Sequence, residues 1–157
     1  MTVRLTAVSA VSALLLAACS QEAAEPVEEN GGIAGLEITN ARMALPAVSG
    51  NPAAIYMDIS YEGERNLAVR SADVAGAARA ELHDVMEFDG EMVMNEMPPL
   101  MLTTGDSVSF EPGGKHVMAF ELDPGLTAGG STEVTFTVAG GDKHSFDVAI
   151  QAAGDAR

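Results

Sequence analysis

Two imidazoles and two thioethers stand at fixed intervals in the middle of this chain. His83 is followed by ten residues and then Met94, twenty-one more residues lead to His116, and one residue separates His116 from Met118. The stretch around them, from Glu81 to Glu121, holds two of the three histidines and six of the nine methionines. All four side chains are neutral donors through nitrogen or sulfur. Soft sulfur ligands select Cu(I) over zinc or calcium, and a set that brings no charge of its own suits a monovalent ion. Thioethers form no disulfides, so such a site stays usable where thiols oxidise, with sulfoxide formation as its hazard. A blue-copper electron-transfer centre would need a cysteine ligand, and the only cysteine is Cys19. A single histidine on a strand is most simply a surface or satisfied residue, and a single methionine is most simply core. The joint spacing sets these four apart.

The elements that must bring them together read as short strands. Apolar and polar residues alternate in brief runs separated by Gly, Pro, Asn and Asp. The runs are Leu36 to Arg42, Ala53 to Tyr61, Asn66 to Val74, Ala80 to Val85, Glu91 to Glu96, Ser107 to Phe110, His116 to Leu122, Glu133 to Val138 and His144 to Gln151. Gly76 to Arg79 reads as a connection, and the Ala-rich segment from Ala72 to Leu82 allows one short helical turn at most. About eight short strands at regular spacing imply an all-β fold, a β-sandwich or small Greek-key barrel.

Asp89-Gly90 is a two-residue hairpin signal, because both central positions of a type I′ turn need positive φ. Counting outward from it pairs Phe88 with Glu91, Glu87 with Met92, Met86 with Val93, and Val85 with Met94. Residues two apart on a strand share a face. His83 therefore lies on the face of Val85 and Met94, one diagonal step away. His116 and Met118 likewise share a face of their own strand.

Composition narrows the remaining functions. The chain has 157 residues, enough for one domain. It carries 23 acidic against 8 basic residues, a formal charge of −15. Nucleic acid is excluded as a partner, since neutralising phosphates needs Lys and Arg. A solvated acidic surface is the simplest reading of the charge; attraction of cations or a basic partner is the functional one. Residues 1–18 read as a targeting segment: Arg4, then an apolar run too short for a membrane span. Leu16-Ala17-Ala18-Cys19 resembles the lipobox of bacterial lipoproteins, with Cys19 as the lipidated residue of the mature chain. Residues 19–35, acidic and without apolar periodicity, read as a flexible linker, and 152–157 as a loose tail. The folded domain is expected over 36–151. With Cys19 lipidated, the mature fold would hold no thiol.

The pattern His-x10-Met-x21-His-x-Met resembles the signature of the PCu(A)C family of periplasmic copper chaperones. The likeness extends from about Leu36 to Gln151. It includes Ala54-Ile55-Tyr56-Met57, Glu81-Leu82-His83, Asp89-Gly90 followed by Met92 and Met94, and Pro112-Gly113-Gly114 before His116. The resemblance implies a cupredoxin-like β-barrel binding Cu(I) through His83, Met94, His116 and Met118. It also implies delivery of copper toward the CuA centre of cytochrome c oxidase, with that subunit or a Sco-type chaperone as acceptor. Some members add a tail rich in His and Met that binds Cu(II); this chain ends QAAGDAR.

Other residues receive lesser roles. Met86, on the opposite strand face, is expected in the core. Met92 shares the ligand face, as a neighbour or an auxiliary ligand. Met97 and Met101 flank the Pro98-Pro99 loop and are expected to rim the site. His144 is expected at the surface. No nucleophile triad, phosphate loop or carboxylate pair stands out, so no enzyme is expected. The expected protein is an exported, lipid-anchored copper carrier on the periplasmic face of a bacterial membrane. The alternatives are an anchored interaction module with a Met-rich face and no metal role, or a copper-tolerance or storage protein.

Overall fold

The computed structural model describes residues 32–155. The expected targeting segment, Cys19 and most of the expected linker lie outside them. Among the described residues the regular structure is all strand, ten in number: β1 (Leu36–Ala44), β2 (Ala53–Tyr61), β3 (Leu67–Val74), β4 (Ala77–Phe88), β5 (Glu91–Glu96), β6 (Leu100–Leu102), β7 (Asp106–Phe110), β8 (His116–Leu122), β9 (Ser131–Val138) and β10 (Lys143–Gln151). Two differences from the sequence reading stand out. β4 begins at Ala77, with only a tight turn before it at Gly76 (φ +80°), so the expected connection over 76–79 is mostly strand. The three-residue β6 is new. Its Leu-Met-Leu is too short for its alternation to register in the sequence.

The strands hydrogen-bond in the order β5-β4-β8-β2-β1-β10-β9-β3-β6, with β7 on β2. β1 and β10 run parallel; every other pair is antiparallel. β2 shows why the sheet has an inside. Its residues alternate strictly, with Ala53, Ile55, Met57, Ile59 and Tyr61 buried and those between them half-buried, as the two-residue period of a strand requires. One apolar core collects Leu82, Val117 and Ile55 from one end of the strand order and Leu67, Val69 and Leu102 from the other. The sheet must therefore curl so that its two ends share an interior. Phe136 packs edge-on against Phe146, ring centroids 5.1 Å apart, in a favoured aromatic geometry.

A local irregularity shifts the register between β1 and β2. A one-residue bulge in β1 lies between Thr39 and Arg42, with Asn40 at φ +54°. Asn40 Nδ2 donates to Asp58 (2.7 Å) and Ser109 Oγ donates to its other oxygen (2.8 Å). These two bonds, with the charge of Arg42, hold the Asp58 carboxyl below its ordinary range. Beyond the bulge Arg42 pairs with Tyr56. Near the start of the described residues Ile33, expected in the linker, packs on the core, and its N–H donates to His144 Nδ1 (3.1 Å).

Candidate metal centre

His83 and His116 are direct cross-strand partners in the β4–β8 ladder, with Glu81 opposite Met118 one pleat away. Residues two apart share a face, so these four form a square on one side of the sheet. It is the outer side, because the residues between them, Leu82 and Val117, point into the core. The imidazole centroids lie 5.9 Å apart. Met94 enters from β5. It pairs with Val85, while His83 pairs with Glu96, so Met94 is the diagonal neighbour of His83. The structure thus places His83, His116 and Met118 on adjoining positions of two strands and Met94 on the strand alongside.

Turn chemistry fixes that register. Asp89 and Gly90 adopt φ of +53° and +83°, as a type I′ turn demands, and the pairs run from Phe88 and Glu91 outward to Val85 and Met94. β8 reaches only as far as His116, opposite His83. The segment from Asp84 to Asn95 therefore extends beyond the sheet with no third strand beside β4. This corrects one expectation. Met86 is 54% exposed, not core, because the face opposite the ligands has nothing packed over it there. Phe88 (75%) and Met92 (65%) are exposed on the same arm, and Met94 is 47% exposed. Met97 packs against the core, and Met101 is exposed on β6.

The two rings are held by different means. Before His116, Glu111 to Gly114 closes as a turn, with Gly114 N–H on the Glu111 carbonyl (3.0 Å) and Gly113 at φ +83°. Pro112 and Gly113 supply the second and third positions that a type II turn prefers. The turn aims the Gly114 carbonyl at His116 Nδ1, 2.9 Å away. A carbonyl only accepts, so Nδ1 carries the proton and Nε2 keeps its lone pair. His83 Nε2 lies 3.0 Å from Glu81 Oε2. The other Glu81 oxygen takes Arg79, and that guanidinium lies over Phe120 at 3.8 Å from the ring centroid. Donation from His83, then the charge of Arg79, keep the Glu81 carboxyl below its usual range. His83 Nδ1 is buried without a hydrogen-bond partner.

The surroundings are aromatic and paired in charge. Tyr56 flanks His116 at 6.4 Å between ring centroids, and the Arg42 guanidinium lies 5.3 Å from the centroid of the tyrosine ring. Phe120 flanks His83 at 6.5 Å. Lys115 pairs with Asp84 at 2.7 Å, tying the base of the hairpin to the turn before β8. Small Ala54 lies across from Met118, leaving room beside the thioether. His116 is 7% exposed and the His83 side chain 12%. The site is thus shielded on the His side and open at Met94.

The donor set decides the chemistry. Among the described residues no three His, Cys, Asp or Glu groups are placed to hold an ion together. The other candidate donors beside the two imidazoles are the thioethers of Met94 and Met118, which are soft ligands. A buried imidazole nitrogen with no hydrogen-bond partner, as His83 Nδ1 is, fits a cation ligand. Sequence reasoning assigned no role to Glu81, Gly114 or Tyr56. Their signals were present: Glu81 stands two residues before His83 on a strand, and Pro-Gly-Gly precedes His116. His144 was also misread. It is half-buried, and burial lowers its pKa.

Comparison with known proteins agrees with this architecture. Residues 36–150 match the family described as "Putative lipoprotein LpqE-like". No curated protein matches significantly. Among solved structures, the apo PCuAC domain from PmoF1 is similar at 20% identity and TM-score 0.63, covering 78% of this chain and 98% of that one. The copper-bound PCuAC domain from PmoF2 matches at 17% identity and TM-score 0.63, covering 78% and 97%. The Cu(I) form of DR1885 from Deinococcus radiodurans matches at 19% identity and TM-score 0.58, covering 79% and 81%. The chain therefore belongs to the LpqE-like family, and it has the all-β, cupredoxin-like fold of the PCuAC domains.

Proposed function

We propose that this protein is an exported copper chaperone that holds Cu(I) between His83, Met94, His116 and Met118 and hands it to an acceptor protein. The observation that carries the reading is the direct pairing of His83 with His116, each ring keeping one nitrogen lone pair, with thioethers beside them on β8 and β5. The copper-bound PmoF2 domain and the Cu(I) form of DR1885 share the fold and support the choice of ion.

The arrangement suits a carrier. The two histidines are shielded and Met94 is 47% exposed, so an incoming ligand meets a neutral thioether first. An acceptor bearing thiolates binds Cu(I) more strongly than thioethers do, and ligand exchange needs no catalytic group. The acceptor we favour is the CuA subunit of cytochrome c oxidase or a Sco-type chaperone working with it. Lipidation at Cys19 would tether the domain to the periplasmic face of a bacterial membrane; the lipoprotein description of the family supports this part.

Cu(I) titration against a competing chelator tests the reading. One equivalent should bind, and His116→Ala and Met94→Ala should each weaken it. No binding, or binding indifferent to both substitutions, contradicts it. The exposed Met86, Phe88 and Met92 favour a second reading, an interaction module without a metal role. That reading requires Phe88→Ser to weaken partner binding equally with and without copper.

A further inference from the structure

The two imidazoles face their hydrogen-bonding oxygens with different ring nitrogens, Nε2 in His83 and Nδ1 in His116. We propose that Glu81 is a positioning residue whose carboxylate holds the Nε2 proton of His83, so that His83 offers Nδ1 to copper while His116 offers Nε2. This rests on the copper reading above.

Glu81 and His83 share a face of β4, two residues apart. The Glu81 Oε2 to His83 Nε2 distance of 3.0 Å is a hydrogen bond. An ionised carboxylate can only accept, so Nε2 must donate and the lone pair falls on Nδ1. That atom is the buried, unpartnered nitrogen of the site. Leaving a buried acceptor unpaired is unfavourable, and a cation bound there would relieve it.

Glu81 is itself anchored. Arg79 takes its second oxygen and lies over Phe120, which in turn flanks His83. Glu81 also stands directly across from Met118, close to the ion's position but not as a ligand: among the described residues no third carboxylate or imidazole joins the two histidines in a metal-holding group. The arrangement is a carboxylate–histidine–metal relay, which fixes ring orientation and raises ligand basicity. For His116 the same task falls to the Gly114 carbonyl, which no side-chain substitution removes. The asymmetry makes the relay testable at one histidine, with the other as internal control.

Long-range proton–nitrogen NMR of the full chain in detergent, at alkaline pH, reads the tautomer of each ring. In the apo protein His83 should carry its proton on Nε2 and His116 on Nδ1. Cu(I) should then shift His83 Nδ1 and His116 Nε2. Glu81→Ala should mix the His83 tautomers, leave His116 unchanged, and weaken Cu(I) binding roughly 10–100-fold. Glu81→Gln, which keeps an accepting oxygen, should restore most of both. A His83 proton on Nδ1 in the wild type, a copper shift at its Nε2, or an unchanged tautomer in Glu81→Ala overturns the proposal. If His116→Ala abolishes Cu(I) binding while Glu81→Ala has no effect, only this inference fails. If His116→Ala has no effect, the copper reading fails with it.

Discussion

A backbone carbonyl sets His116, and the carbonyl is aimed by one glycine. Gly113 sits at φ +83°, a conformation costing on the order of 1–2 kcal/mol for a residue with a Cβ. Gly113→Ala should therefore loosen the turn, free the His116 ring and weaken Cu(I) binding, at a stability cost limited to about that strain, since nothing lies within 4 Å of the added Cβ. Direct loss of a proposed ligand should cost more. Met118→Ala or His116→Ala should weaken Cu(I) by more than the roughly 10–100-fold typical of outer-shell partners, read by chelator competition. Much at this scale was legible in the sequence. Four candidate donors stood out by their spacing, and the fold brings three of them to adjoining positions of β4 and β8 and the fourth to β5. For Glu81 the sequence offered only its place two residues before His83; a glutamate on a strand is ordinarily a solvated side chain, and the 3.0 Å contact to His83 is what distinguishes it.

Strand β4 carries His83, the proposed ligand, into the sheet and then leaves it. Up to His83 it pairs with β8; beyond, it pairs only with β5. The Asp89-Gly90 turn is what holds that free arm in register, so Gly90→Ala, at φ +83°, should cost on the order of 1–2 kcal/mol locally. Hydrogen exchange should show protection lost across residues 84–95 while the core strands keep theirs, and Cu(I) affinity should fall as Met94 loses its placement. Short strands and hairpin register were readable because alternation and turn residues are local signals. The exposure of Met86 was not. A strand's face is assigned from its sequence, but whether anything covers that face depends on where β8 ends, which is a tertiary fact. The three-residue β6 and the early start of β4 escaped for a related reason, since pairing with β3 and β8 defines them rather than propensity.

The molecule as a whole separates stability from ligand binding. The core lies inside the curled sheet and the proposed ligands on its outer face, so the two can be altered independently. Phe136 is fully buried, and Phe136→Ala should cost about 3–5 kcal/mol in urea unfolding while leaving the Cu(I) ligand set in place. His144 predicts a pH dependence. Burial lowers its pKa from 6.5, so the folded state resists its protonation. The stability it contributes is present above the unfolded value of about 6.5 and is lost as pH falls through the lowered folded value. Unfolding midpoints should drop as pH falls below about 6.5, and His144→Gln should flatten that drop.

The central claim is the ligand set itself. X-ray absorption at the copper edge of the Cu(I)-loaded protein counts sulfur and nitrogen neighbours directly. The account predicts two sulfur and two nitrogen scatterers, falling to one sulfur in Met94→Ala or Met118→Ala and one nitrogen in His83→Ala or His116→Ala. A first shell of nitrogen and oxygen alone, or one unchanged by those four substitutions, would contradict it.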